Sequence, residues 1–245
     1  MNRINILNTT IDNFSMEETL GKVFKAIEEK KHIHHVVVNA GKIVSMQKDL
    51  QLRESVNKSH IINADGQAVV WASRFLRKPL KERVAGIDLM ENLVEASHIN
   101  NHRIFFFGAK EEVVKKVVEL YTEKYGEGIV VGYRNGYFRK EEEQEIAKQI
   151  ADSGAQILFV AMSSPKKENF LFDNRDVLGK VNFVMGVGGS FDVVAGKVKR
   201  APKWMQKTGL EWFYRLIQEP KRMWKRYLVG NTKFIVLVIR ERFKF

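Results

Sequence analysis

The sequence predicts an α/β protein, a Rossmann-like and mostly parallel sheet with flanking helices, followed by a basic C-terminal helical appendage. Three observations predict it. Short β-branched or aromatic runs alternate with longer segments of helical period, and no internal repeat or low-complexity linker interrupts them. Several of the short runs are continuously apolar, as strands covered on both faces should be.

Taken in order, Ser15 followed by Glu18 reads as a capping box that opens a helix to about Lys30, with Val23, Phe24 and Ile27 on one face. Strands are expected at 35–39, 60–63, 103–108, 129–133, 157–161 and 183–187. Helices are expected at 42–57, 67–76, 88–100, 110–125, 140–152 and 165–178. Beyond Gly196 the character changes: 202–217 and 220–228 should be helical, each opened by a proline, which is tolerated in a first helical turn. A boundary is therefore expected near 195, between an α/β catalytic body (1–195) and the appendage (196–245).

Charge marks the same boundary. The 245 residues carry 41 Lys and Arg against 29 Asp and Glu, a net +12. Of these, 196–245 hold 14 Lys and Arg and three acids, Glu211, Glu219 and Glu241, which leaves the first 195 residues almost neutral. At 44% hydrophobic and 29% charged residues the chain is too apolar to be disordered. The absence of cysteine excludes a disulfide scaffold, Cys-ligated metal and thiol catalysis. The N-terminus lacks the basic start and apolar stretch of a signal peptide, so a cytosolic location is expected. No apolar run approaches the roughly 20 residues that cross a bilayer, so a membrane role would be peripheral.

Four segments could carry chemistry. Asn63-Ala-Asp65-Gly66-Gln67 follows a strand, where a carboxylate at the ligand-facing end can act as a general base; the alternative is a tight turn in which Asp65 bonds its own backbone. Met185-Gly-Val-Gly-Gly-Ser-Phe-Asp192 again follows a strand, and its glycines would let backbone N–H groups approach a phosphate or nucleotide ring. A structural turn explains it equally, since the spacing is that of neither a P-loop nor GxGxxG. Ser163-Ser-Pro-Lys-Lys167-Glu168 is either an anion site or an ordinary capped helix start. Arg215 to Arg226, with Lys221, Arg222 and Lys225 between, could neutralise a diphosphate, grip anionic lipid or bind nucleic acid. The interleaved Trp212, Phe213, Tyr214, Met223, Trp224 and Tyr227 argue against a merely solvated face. His32, His34 and His35 have no acid or cysteine at ligand spacing, so no metal site is expected, and no G-x-S-x-G elbow occurs.

Seven blocks in order and spacing resemble one family: Asn63–Gly66, Arg83-Val-Ala-Gly-Ile-Asp88, Gly136-Tyr-Phe138, Ser164-Pro-Lys-Lys-Glu168, Gly186 through Gly196, Lys199-Arg-Ala-Pro202, and Gly209-Leu-Glu-Trp-Phe-Tyr-Arg215 with Glu219-Pro220. The chain resembles the WecG/TagA/CpsF glycosyltransferases, glycosyltransferase family 26, across nearly its whole length. The resemblance implies a Rossmann-like body of the GT-E type and a metal-independent, inverting transferase that needs no cofactor. Such an enzyme moves a sugar, typically N-acetylmannosamine or its uronic acid, from UDP to a polyprenyl-diphosphate-linked sugar at the cytoplasmic face of the membrane. It also implies an appendage that docks on the membrane and completes the active site. By that resemblance Asp65 is the catalytic base, Arg83 an active-site arginine, and Asn39 part of the Asn-Ala motif at the donor. Gly188, Gly189 and Asp192 then belong to the nucleotide-contacting loop, and Arg215, Arg222 and Arg226 approach the diphosphate.

Two positions depart from the best-known members: Val37 replaces a threonine and Lys167 a glutamine, both expected near the sugar. A glucose or uronic acid donor is therefore an alternative, with Lys167 expected to contact a sugar carboxylate or a donor phosphate. Two rival classes remain at this stage, a basic nucleic-acid-binding protein and an inactive membrane scaffold. The favoured reading takes no nucleic acid as partner and leaves a homo-oligomer open.

Overall fold

The computed structural model describes residues 3–243, apart from the side chains of Arg222, Lys225 and Arg226. In chain order, strands β1 (Arg3–Ile6) and β2 (Thr9–Asp12) precede helix α1 (Met16–Glu28); then follow β3 (Ile33–Val38), α2 (Ala40–Met46), α3 (Leu50–Asn57), β4 (Ile61–Ala64), α4 (Gln67–Phe75) and α5 (Gly86–Asn100). β5 (Ile104–Gly108), α6 (Glu111–Tyr125), β6 (Val130–Arg134), α7 (Glu143–Asp152), β7 (Ile157–Ala161), α8 (Lys166–Asp173), α9 (Arg175–Leu178), β8 (Phe183–Gly186) and α10 (Ser190–Val194) complete the body. The last part holds α11 (Lys203–Lys207), α12 (Glu211–Gln218), α13 (Pro220–Trp224), a π-helical turn (Lys225–Val229) and α14 (Gly230–Phe243).

Six strands form one parallel sheet in the order β4-β3-β8-β7-β5-β6. This is the expected Rossmann-like arrangement, and the alternation of side chains explains why its strands read as continuous apolar runs. Phe106, Phe159, Phe183 and Met185 point to the face covered by α1, α5 and α6. Phe105, Phe107, Leu158 and Val184 point to the opposite face, under α7 and α8. Along β3, Val37 joins the first face, while Val36 and Val38 join a core shared with α2, α3 and α4. The capping box at Ser15 is present, with Ser15 Oγ accepting from Glu18 N and Glu18 Oε2 accepting from Ser15 N.

Three expected helices are shorter than their periodicity suggests. Asp49 splits 42–57, because its carboxylate accepts from Leu52 N (2.9 Å) and starts a second helix. Asn174 divides 165–178 by turning its amide back onto Phe170 O (2.9 Å). Gly209, at φ +77°, breaks 202–217, and a Cβ there would come within 2.7 Å of Gln67.

The segment after residue 195 shares the body's core. Phe234 and Val238 of α14 are buried with Ile43 of α2 and with Ile6 and Ile11 of the β1–β2 hairpin. Glu241 accepts from Leu7 N (2.6 Å) in the hairpin turn.

At the opposite end of the sheet from the strand carboxyl ends, His34 and His35 are buried at the start of β3. Burial drives His34 down to about 3 and His35 to about 4, the second partly offset because His35 Nε2–H donates to Asn63 Oδ1 (2.8 Å). Both are neutral in the fold and would take a proton near 6.5 when unfolded. The unfolded chain therefore binds more protons below 6.5, and stability present at neutral pH is lost as pH falls from 6.5 towards 4. The melting temperature is expected to drop over that window, and His34→Asn, if it folds, should flatten the drop. A melting temperature level from pH 7 to 4.5 would contradict it.

Candidate active site

The carboxyl ends of the strands lie along one edge of the sheet, which is where open α/β sheets bind ligands. Asp65 follows β4 at this edge. Its backbone N–H extends the ladder to Val38 O (2.9 Å), and Val84 N–H donates to Ala64 O (2.9 Å). The second bond lays residues 83–86 along the end of β4, so Gly86 N–H reaches Asp65 Oδ1 (3.2 Å) and the charge of Arg83 acts on the same carboxylate. Burial pushes the Asp65 carboxyl above its ordinary value, while Arg83 and the Gly86 N–H pull it back. A partly desolvated carboxylate with a raised pKa is suited to accept a proton near neutral pH. Asp65 is thus more than a turn residue bonding its own loop.

The neighbouring strand end brings Asn39 to the same place. Asn39 caps α2, accepting from Lys42 N (3.0 Å), and a Cβ on Gly66 would lie 3.3 Å from Asn39 Cβ. Val37 points inward and packs against Gly86 and Met185, within the core.

The appendage closes over this edge. Glu211, the first residue of α12, is 3.2 Å from Arg83 and lies 3.8 Å from Arg215 and 3.9 Å from Arg200. Arg200 also pairs with Asp88 of α5 at 2.6 Å. Three guanidiniums thus surround one carboxylate, and Glu211 and Arg215 both act electrostatically on Asp65. Asp65, Glu211, Asp88 and Glu91 (3.9 Å from Arg200) balance these three cations, so the guanidiniums can stabilise an anionic leaving group where it takes the place of a carboxylate partner. Arg222 lies in α13 and Arg226 in the π-helical turn, and their side chains are outside the described residues.

Gly188, at φ +57°, and Gly189 carry the chain from β8 into α10. Asp192 of α10 lines an open cleft of about 320 Å³ with Ala109, Lys110, Val113, Tyr137 and Lys197. The Gly188–Asp192 loop and the Gly136–Phe138 block are therefore brought together at the ends of β5 and β8.

Lys167, expected to contact a sugar carboxylate or a donor phosphate, is buried and meets a carboxylate of the protein itself. Its ammonium is 2.8 Å from Glu168, whose carboxylate also meets Lys42 at 2.7 Å, all three side chains being buried. Lys42 in turn donates to Val37 O (2.6 Å). The stem of Lys167 lies across Gly186, where any Cβ would come within 2.8 Å of it. The other lysine of this block, Lys166, sits 3.8 Å over the Phe138 ring. Among the described residues no group of three or more His, Cys, Asp and Glu is placed to hold a metal ion.

Sequence reasoning missed Glu211, Arg200, Asp88 and the Lys42–Glu168 pair. One signal was available for Glu211, because a carboxylate in a segment with 14 cations and three acids needs a reason to be there.

Fold and site together define an α/β protein with a carboxylate–arginine centre at the carboxyl edge of a parallel sheet. The sequence matches the family described as "Glycosyl transferase WecG/TagA/CpsF family" over residues 4–245, and the chain belongs to that family. It is similar to a Bacillus subtilis (strain 168) protein, N-acetylglucosaminyldiphosphoundecaprenol N-acetyl-beta-D-mannosaminyltransferase, at 39% identity over 194 residues, 79% of this chain and 74% of that one. The protein is accordingly a glycosyltransferase.

Proposed function

We propose that the protein transfers a hexosyl unit from a UDP-sugar to a polyprenyl-diphosphate-linked sugar, with inversion and without a metal ion, at the cytoplasmic face of the membrane. The observation that carries this reading is the setting of Asp65, held by Gly86 N–H beside Arg83 and facing the arginines gathered on Glu211. Single displacement requires one base for the acceptor hydroxyl and positive charge for the departing diphosphate. Asp65 takes the proton, and Arg83, Arg215 and Arg200 with the appendage cations receive the charge. The cleft lined by Asp192, Tyr137 and Lys110 is the candidate place for the UDP base and ribose. UDP-N-acetylmannosamine with an N-acetylglucosamine-diphosphate-prenyl acceptor is the first pair to try, following the Bacillus subtilis relative's name. UDP-glucose and UDP-uronic acids follow.

The test is UDP release by the full chain with a short-prenyl acceptor and a panel of UDP-sugars, with and without EDTA. Turnover of one donor, unchanged by EDTA, is expected; no turnover with any donor would contradict the reading. Because the base must be ionised, kcat/KM should fall on the acid side with a midpoint above the ordinary Asp value of 3.8. Arg83→Gln removes a cation that favours ionisation, so it should move that midpoint to higher pH. A shift to lower pH would contradict the assignment.

A further inference from the structure

We propose that α4, a helix of the body, forms one continuous lipid-binding face with the appendage and lies on an anionic bilayer; the inference rests on the reading above, in which the acceptor is anchored in a membrane. α14 carries two apolar stripes. Phe234 and Val238 fill the core, while Ile235, Ile239 and Phe243, spaced i, i+4, i+8, are 56%, 43% and 57% exposed. A helix apolar on both sides has a second partner to find.

That outer stripe continues onto the body. The Phe75 ring at the end of α4 meets Phe243 edge-on at 6.5 Å, and Trp71, one turn earlier on the same side of α4, is 50% exposed. Trp71 also borders the break between α11 and α12, since a Cβ on Gly209 would lie 3.2 Å from its ring. These contacts join exposed apolar residues of α14 and α4 to the break between α11 and α12.

Charge selects the occupant. Arg74 and Arg77 beside this stripe, and Lys203 and Lys207 on α11, are exposed, which suits phosphate head groups around an apolar, aromatic centre. A second copy of the chain would set two strongly basic segments against each other. Among the described residues no helix is long and apolar enough to cross a membrane, so the face would lie in the interface. α4 begins two residues after Asp65, which puts the base within about 10 Å of the lipid surface along the helix, at 1.5 Å rise per residue. An acceptor diphosphate at head-group level could then meet the base without the prenyl chain leaving the bilayer.

The experiment is co-sedimentation of the full chain with phosphatidylglycerol/phosphatidylcholine vesicles, comparing wild type, W71E/F75E, the milder W71S/F75S, and I99E, which adds charge at an exposed apolar residue of α5. At least a tenfold loss of vesicle partitioning is expected for W71E/F75E, a smaller loss for W71S/F75S and none for I99E. UDP release with a water-soluble short-prenyl acceptor should be unchanged in W71S/F75S. Brominated lipid should quench the fluorescence that Trp71→Phe removes, a readout that survives poor folding of the glutamate variant. Unchanged partitioning with an unquenched Trp71 would overturn the proposal, as would a dimer in solution that W71S/F75S breaks while vesicle binding persists. No turnover by the wild type with any UDP-sugar would contradict the proposed UDP-sugar reaction and leave the vesicle result standing.

Discussion

Asp65→Asn is expected to lower transfer by about 10²- to 10⁴-fold while leaving UDP affinity within a few-fold of wild type. The substitution keeps the shape and the oxygen that accepts from Gly86 N–H, so the strand end should keep its geometry. What it removes is the half-buried carboxylate proposed as the base, whose ionised form Arg83 favours. The comparison variant is Glu211→Gln. It leaves the base in place and removes the carboxylate shared by Arg83, Arg200 and Arg215. Single-turnover rates at saturating donor separate the two, since only Asp65→Asn should abolish the chemical step.

Glu168→Ala is expected to cost roughly 3–5 kcal/mol of stability, the range for removing one partner of a buried ion pair. Burial opposes ionisation of Glu168, but Lys42 and Lys167 outweigh it and hold the carboxyl well below the usual carboxylate range. Without it, two buried ammoniums face each other at the ends of β3 and β8. The denaturant midpoint measures the loss, and the triple variant K42M/K167M/E168L should recover much of it, because an apolar replacement leaves no unpaired charge. A midpoint unchanged in Glu168→Ala would show that water reaches the three groups. With a lowered folded pKa, the stabilisation from Glu168 is fully present above its unfolded value near 4.5 and is lost only as pH falls through the lower folded value. Acid weakening between pH 6.5 and about 5 therefore belongs to the histidines held low by burial, His34 and His35 foremost, with His32, His60 and His102.

The six sheet strands were legible because a parallel strand covered on both faces is apolar throughout, and 157–161 shows this without interruption. The β1–β2 hairpin was not. Its turn places Leu7 and Asn8 at positive φ without an Asn-Gly signal, and it is held by distant groups: Gln47 donates to Leu7 O (2.8 Å), Asn57 to Asn8 O (2.9 Å), and Glu241 accepts from Leu7 N. No local pattern reports such partners. The final helix was expected only as part of a helical appendage, without bounds of its own, since two apolar stripes blur the helical period.

The site was legible in part. Asp65 stood out as a carboxylate after a strand, yet its neighbourhood with Arg83 depends on a loop laid back along β4 by the Val84–Ala64 bond. Lys167 illustrates the limit most sharply. Sequence shows a cation in place of glutamine, whereas only the fold shows that its neighbour Glu168 turns inward to meet it and Lys42 of α2, all three buried. Net charge likewise located the appendage but hid the acids that tie it to the body, Glu211 at Arg83 and Glu241 at the hairpin turn.

The proposed single displacement, with Asp65 as the base, dictates the anomeric configuration of the product. The full chain would be supplied with an α-linked UDP-sugar and a short-prenyl diphosphate-linked acceptor, and the new glycosidic bond read by NMR. One base and no covalent intermediate predict a β linkage; an α linkage would contradict the mechanism and require a second nucleophile at the carboxyl edge of the sheet.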